Sequence, residues 1–161
     1  HHHSLLNFSK KVKDEGLEVE IETNGSNPEV LKDFIEQKAV DYIGLDIKAP
    51  FESEKYAESA GVEKEGIQDN VLECMDILRD SGIDYEYRTT VVPKILEPED
   101  VIKIGKEIEE DENYYLQQFS AENTLKDYFK DVEPYDEKTL EEIKTKLIEE
   151  QDLKNVEIRN L

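Results

Sequence analysis

Short apolar runs with strand period alternate with apolar stripes of helix period from one end of the chain to the other. No other feature limits the fold as much. Ser4–Glu15 carries Leu5, Phe8 and Val12 at helical spacing, followed by Gly16, a residue suited to a left-handed cap. Leu17–Glu22 alternates Val19 and Ile21 with glutamates, as a strand does, and Thr23, Asn24 and Gly25 form a turn. Asn27 and Pro28 make an N-cap and first-turn pair for a helix with Leu31, Phe34 and Ile35 on its apolar face. Val40–Lys48 reads as a second strand, ended by Pro50. Phe51–Glu65 is a polar excursion with a short helix around Tyr56.

The second half repeats the scheme. Ile67, Val71, Cys74, Met75 and Leu78 form a helical stripe stopped by Gly82, and Ile83–Val92 is a third strand ended by Pro93. Pro98 opens a helix with Val101, Ile104, Gly105 and Ile108 facing inward. Tyr114–Phe119 is a fourth strand, and Ser120–Pro134 is a longer connection containing Leu125, Tyr128 and Phe129. Asp136 caps a helix bearing Leu140, Ile143 and Leu147, with Tyr135 placed to staple onto Leu140, and Val156–Leu161 is a last strand. Strands alternating with three-turn helices imply parallel pairing through right-handed crossovers, hence an α/β fold. With 161 residues the chain supports a single core but falls short of a complete eight-unit barrel, which takes about 250. His1, His2 and His3 read as the remnant of a purification tag, leaving 4–161 as one α/β domain. That domain starts on a helix with no strand before it, so an earlier segment is expected to be missing.

A formal net charge of −21 argues against binding a phosphate backbone, so no nucleic-acid partner is expected. The acidic surface suits solubility, or adaptation to salt or a basic partner. Cys74 is the only cysteine, which excludes a disulfide framework and places the chain in a reducing, cytoplasmic setting. It sits on the helical stripe and reads as a small core residue. No apolar run approaches the length of a membrane span, so no membrane association is expected.

In a parallel sheet the carboxyl ends of the strands share one rim, where ligands bind. That rim collects Glu22, Thr23 and Asn24, then Asp46 and Lys48, then Arg88 and Thr90, then Gln117 and Gln118. Alternation puts Asp46 and Lys48 on one face, with Leu45 and Ile47 on the other, and groups Glu86, Arg88 and Thr90. Buried charges are costly unless paired or bound, and one charged strand end is ordinary rim solvation. Four in a row, with both signs, amides and a hydroxyl, favour a site for a polar zwitterionic ligand. No nucleophile–base pair and no phosphate loop accompany them, so the residues alone name no catalytic group.

The strings ETNGSNPEVL, VDYIGLDIKAP, YEYRTTVVP and YYLQQF, in this order and spacing, resemble radical S-adenosylmethionine (SAM) enzymes of the glycyl-radical activating type, as in activation of anaerobic ribonucleotide reductase. The resemblance runs from about Leu5 to the C-terminus and implies the C-terminal part of a partial (β/α)6 TIM-like barrel with parallel strands. It implies SAM and a [4Fe–4S] cluster in the intact enzyme, where reductive cleavage of SAM yields a 5′-deoxyadenosyl radical. It also implies a glycyl-radical enzyme partner and an electron donor. The family's CxxxCxxC cluster loop and GGE-type motif are not among these residues, so the chain by itself is expected to take up no cluster and to turn nothing over. The SAM wall does carry over by motif match. Glu22, Thr23 and Asn24 match the D/E-TNG strand end, and Asp46 and Lys48 match the D-x-K pair that reaches ribose and methionine carboxylate. Arg88 matches the R-x-x-V-V-P strand, and Gln118 stands where the next strand end approaches the adenosyl group. Two alternatives stay open: a radical SAM enzyme with another substrate, or a non-catalytic domain whose acidic surface docks a partner. An open half-barrel is also expected to expose the apolar edge of its first strand, inviting self-association.

Overall fold

The computed structural model describes residues 2–61, 66–124 and 127–160. Five strands alternate with helices: α1 (His2–Asp14), β1 (Glu20–Thr23), α2 (Pro28–Glu36), β2 (Tyr42–Asp46), α3 (Ser53–Ala60), α4 (Ile67–Ser81), β3 (Asp84–Val91), α5 (Pro98–Gly105), β4 (Asn113–Gln118), α6 (Glu137–Gln151) and β5 (Asn155–Arg159). Two short 3-10 turns, Ala121–Asn123 and Asp127–Asp131, lie between β4 and α6. Leu125, in the connection expected there, falls outside the described residues, as does Leu161 at the end of the expected last strand.

The strands pair in parallel in the order β1-β2-β3-β4-β5. Sequential order without reversal means each right-handed crossover returns to the same side, so the helices cover one face in the manner of a barrel segment. That face carries Ile43, Leu45, Tyr87, Tyr114 and Leu116, all fully buried, packed with Leu31 and Phe34 of α2, Val71, Met75 and Leu78 of α4, Val101 and Ile104 of α5, and Leu140 and Leu147 of α6. Cys74 lies in this core; burial pushes its thiol up to about 12.

The local signals act as their chemistry requires. Asn27 accepts from the Val30 amide at the start of α2, and Asp136 accepts from Thr139 at the start of α6. Glu97 and Asp100 form a reciprocal capping box on α5. The Tyr135 hydroxyl donates to the Leu96 carbonyl at 3.1 Å.

Helix α1 departs from the expected stripe. Leu5 and Phe8 are 53% and 63% exposed, and the helix buries Leu6 and Ser9 instead. Two stripes one residue apart compete on this helix. The buried one wins because it also lets Lys13 pair with Asp41 and Lys10 bond Gln37. β1 pairs only with β2 among the described strands, and Glu20 and Glu22, half of its sequence EIET, are exposed.

Candidate ligand-binding site

The face of the sheet away from the helices is polar, and its rows follow from the register. Glu22, Gly44 and Glu86 stand side by side, and the next row toward the carboxyl ends is Asp46, Arg88 and Tyr115. One row further, Thr90 lies beside Gln117, which lies beside Arg159.

Arg88 is the centre of this face. It is 5% exposed, and its guanidinium reaches across β2 to Glu22, with Nη1 at 2.6 Å from Glu22 Oε1. The crossing depends on Gly44. A Cβ at that position would lie 1.8 Å from Arg88 Nη2 and 2.5 Å from Arg88 Cζ, so any larger residue would evict the guanidinium. Arg88 Nε approaches Asp46 at 3.7 Å and Glu86 at 3.5 Å, ion-pair distances too long for hydrogen bonds. Among the described residues neither Nε nor Nη2 has a hydrogen-bond partner, although both are buried.

Asp46 and Lys48 meet directly, Lys48 Nζ donating to Asp46 Oδ2 at 2.8 Å, with both side chains about one-third exposed. The segment that carries Lys48 is fixed from below. Its backbone N–H donates to the Tyr56 hydroxyl at 3.1 Å, and the Ile47 carbonyl accepts from Thr89. Tyr56 is fully buried, and burial pushes its hydroxyl up to about 12, so it stays a neutral brace.

Glu22, Asp46, Lys48 and Arg88 are therefore brought together. Thr23 and Asn24 stand beside them at the end of β1, where their side chains shape the turn: Thr23 Oγ1 accepts from the Gly25 amide and Asn24 Oδ1 from the Ser26 amide. Gly25 has a φ of +69°, and a Cβ there would meet Val71 at 2.9 Å, so only glycine suits this corner.

Gln118 is not brought into the group. It stands on the helix side of β4, donating to the Tyr135 carbonyl at 2.7 Å. Gln117 takes the polar face instead, accepting from Thr90 Oγ1 at 3.2 Å. The alternation Leu116-in, Gln117-out carries this signal, since Leu116 is fully buried. Arg159 was not expected here at all. It reaches back from β5 to hold both oxygens of Glu86, at 2.6 and 2.9 Å, with its guanidinium 3.3 Å from the Tyr115 ring centre. Tyr42 donates a third bond to Glu86 at 2.7 Å. An arginine on the last strand, distant in sequence from every motif, gives no local signal.

The donors and acceptors suit SAM, a zwitterion with a diol and a sulfonium. Asp46 and Glu22 offer acceptors, Lys48 a compact cation, and Arg88 two buried donor nitrogens that lack an acceptor among the described residues. The described residues do not suit an iron–sulfur cluster. No group of three or more His, Cys, Asp or Glu side chains among them is placed to hold a metal. Cys74 is a buried thiol pointing its Sγ at the Gly25 carbonyl, 3.5 Å away.

The Radical SAM superfamily matches residues 3–108. The chain belongs to that superfamily. A protein of Methanocaldococcus jannaschii named "Putative glycyl-radical enzyme activating enzyme" is 30% identical over 140 residues, covering 87% of this chain and 58% of the relative. The chain thus spans a little under three-fifths of that relative's length. Among the described residues no helix is long and apolar enough to cross a membrane.

Proposed function

We propose that this chain is the SAM-holding wall of a radical SAM activating enzyme, whose whole protein generates a glycyl radical on anaerobic ribonucleotide reductase with electrons from a separate donor. The observation that supports it most is the convergence of Glu22, Asp46, Lys48 and Arg88 from three parallel strand ends on the polar face. The name of the relative supports the activating class. When bound at a [4Fe–4S] cluster, SAM supplies the hydrogen-abstracting radical.

The residues of this chain bind and orient. In this reading Lys48 takes the methionine carboxylate and Asp46 the ribose diol, and their mutual contact supports it by holding each in position beforehand. Arg88 presents buried donors, and Glu22 fixes its far end. The helix-side core behind β2 and β3 excludes water from the back of this wall, so the charged contacts are stronger than they would be in the open.

The test uses the full-length protein with its cluster reconstituted anaerobically and a co-expressed anaerobic ribonucleotide reductase. The expected result is SAM consumption together with a glycyl radical signal on the reductase. SAM consumption without that radical would assign the enzyme another substrate. Absence of SAM binding would remove the reading altogether.

A further inference from the structure

Arg88 and Arg159 approach one carboxylate from opposite sides. Glu86 is 3% exposed, accepts two hydrogen bonds from Arg159 and one from Tyr42, and stays at 3.5 Å from Arg88 Nε. We propose that Arg159 is a positioning residue for the ligand site. By holding Glu86 toward β5, with three of its hydrogen-bond positions filled, it keeps that carboxylate from closing on Arg88, so the buried Nε and Nη2 donors of Arg88, unpartnered among the described residues, stay uncommitted until a ligand acceptor reaches them. The inference rests on the reading of this face as a SAM site.

The competition follows from hydrogen-bond capacity. A carboxylate has about four lone-pair directions. Arg159 and Tyr42 take three of those on Glu86. Arg159 is itself clamped by its stack on Tyr115, a residue of the same row as Arg88, so the carboxylate is drawn toward β5 and away from Arg88. The Glu86 bond raises the affinity of the Arg159 guanidinium for its proton, although burial opposes it. Without Arg159, a shift of less than an ångström brings Glu86 into hydrogen-bond range of Arg88 Nε. Arg88 would then be satisfied by its own strand, and an arriving ligand would gain less from it. The last strand of the fold thereby tunes a residue two strands away.

The proposal is tested by titrating SAM and its stable demethylated analogue S-adenosylhomocysteine into the full-length protein by calorimetry, with melting curves in parallel. Arg159→Gln is expected to weaken binding about tenfold, the scale of one charge-assisted hydrogen bond. Adding Glu86→Gln to it removes the competing carboxylate and is expected to restore most of that loss. Should Arg159→Gln fold poorly, Glu86→Gln alone decides: binding about threefold tighter is expected, a partial gain on the same scale. A merely structural Arg159 would leave affinity unmoved, or would leave the double variant as weak as the single, and either result overturns the proposal. Failure of the unaltered protein to bind either compound overturns the SAM reading itself, a distinct outcome.

Discussion

Glu112, in the turn just before β4, and Arg88, within β3, are both buried charged residues, 8% and 5% exposed, yet their surroundings differ completely. Glu112, on the helix side, receives Arg79 through Nε and Nη2 at 3.0 Å each, the Tyr85 and Tyr87 hydroxyls at 2.8 and 2.9 Å, and the Glu109 amide at 2.6 Å. Burial alone would raise its pKa, but these donors outweigh burial and hold it below the usual carboxylate range. Burial pushes the Tyr85 hydroxyl up to about 12, so it remains a donor at neutral pH. Arg88, on the opposite face, has one good hydrogen bond and two buried donor nitrogens with none among the described residues. A saturated cluster has nothing left to offer a ligand and holds the fold. An undersatisfied one leaves binding capacity at a cost in stability. The same charge chemistry thus serves structure on one face and recognition on the other.

The comparison breaks first at Glu112. Glu112→Ala strips Arg79, Tyr85 and Tyr87 of their shared acceptor and is expected to cost about 3–5 kcal/mol, a melting shift of roughly 6–20 °C. SAM affinity of the folded protein should be unchanged; a matching loss of affinity would mean the two faces are not independent. On the other face, Lys48→Ala is expected to weaken SAM binding by about 1.5–3 kcal/mol with little change in melting. Gly44→Ala places a methyl where Arg88 Nη2 sits and is expected to weaken binding about tenfold, one lost charged contact. An unaltered titration would show that Arg88 has another way across β2.

The smallest expected effect is in acid. Because the folded pKa of Glu112 is lowered, its stabilisation is complete above the unfolded carboxyl value near ~4.3 and is lost as pH falls through the folded value. Melting curves from pH 7 down to pH 3 should therefore fall more steeply for the unaltered protein than for Glu112→Gln. Parallel curves would contradict the saturated cluster.

The strand ends and the side of the sheet they occupy were legible because period-two alternation is local: Asp46 with Lys48, and Glu86 with Arg88, each needed only a strand and a polarity. Helix α1 shows the limit of a local pattern. Leu5–Phe8 and Leu6–Ser9 offer the same period, and only the partners Asp41 and Gln37 decide between them. At the end of β4 the motif match points to Gln118, whereas buried Leu116 sets the phase that turns Gln117 to the polar face. Arg159 and the Glu112 cluster were invisible because each gathers residues that are 25 to 73 positions apart, and nothing in a local pattern announces such a meeting.

The most direct test is a SAM titration of the full-length protein carrying Arg88→Met, run beside its melting curve. Replacing an undersatisfied buried cation with an apolar side chain of similar length is expected to leave melting unchanged or raise it slightly, while SAM affinity falls at least about tenfold. Unchanged SAM affinity, with a melting temperature that drops as it does for Glu112→Ala, would make Arg88 a structural residue and contradict the assignment of this face to ligand binding.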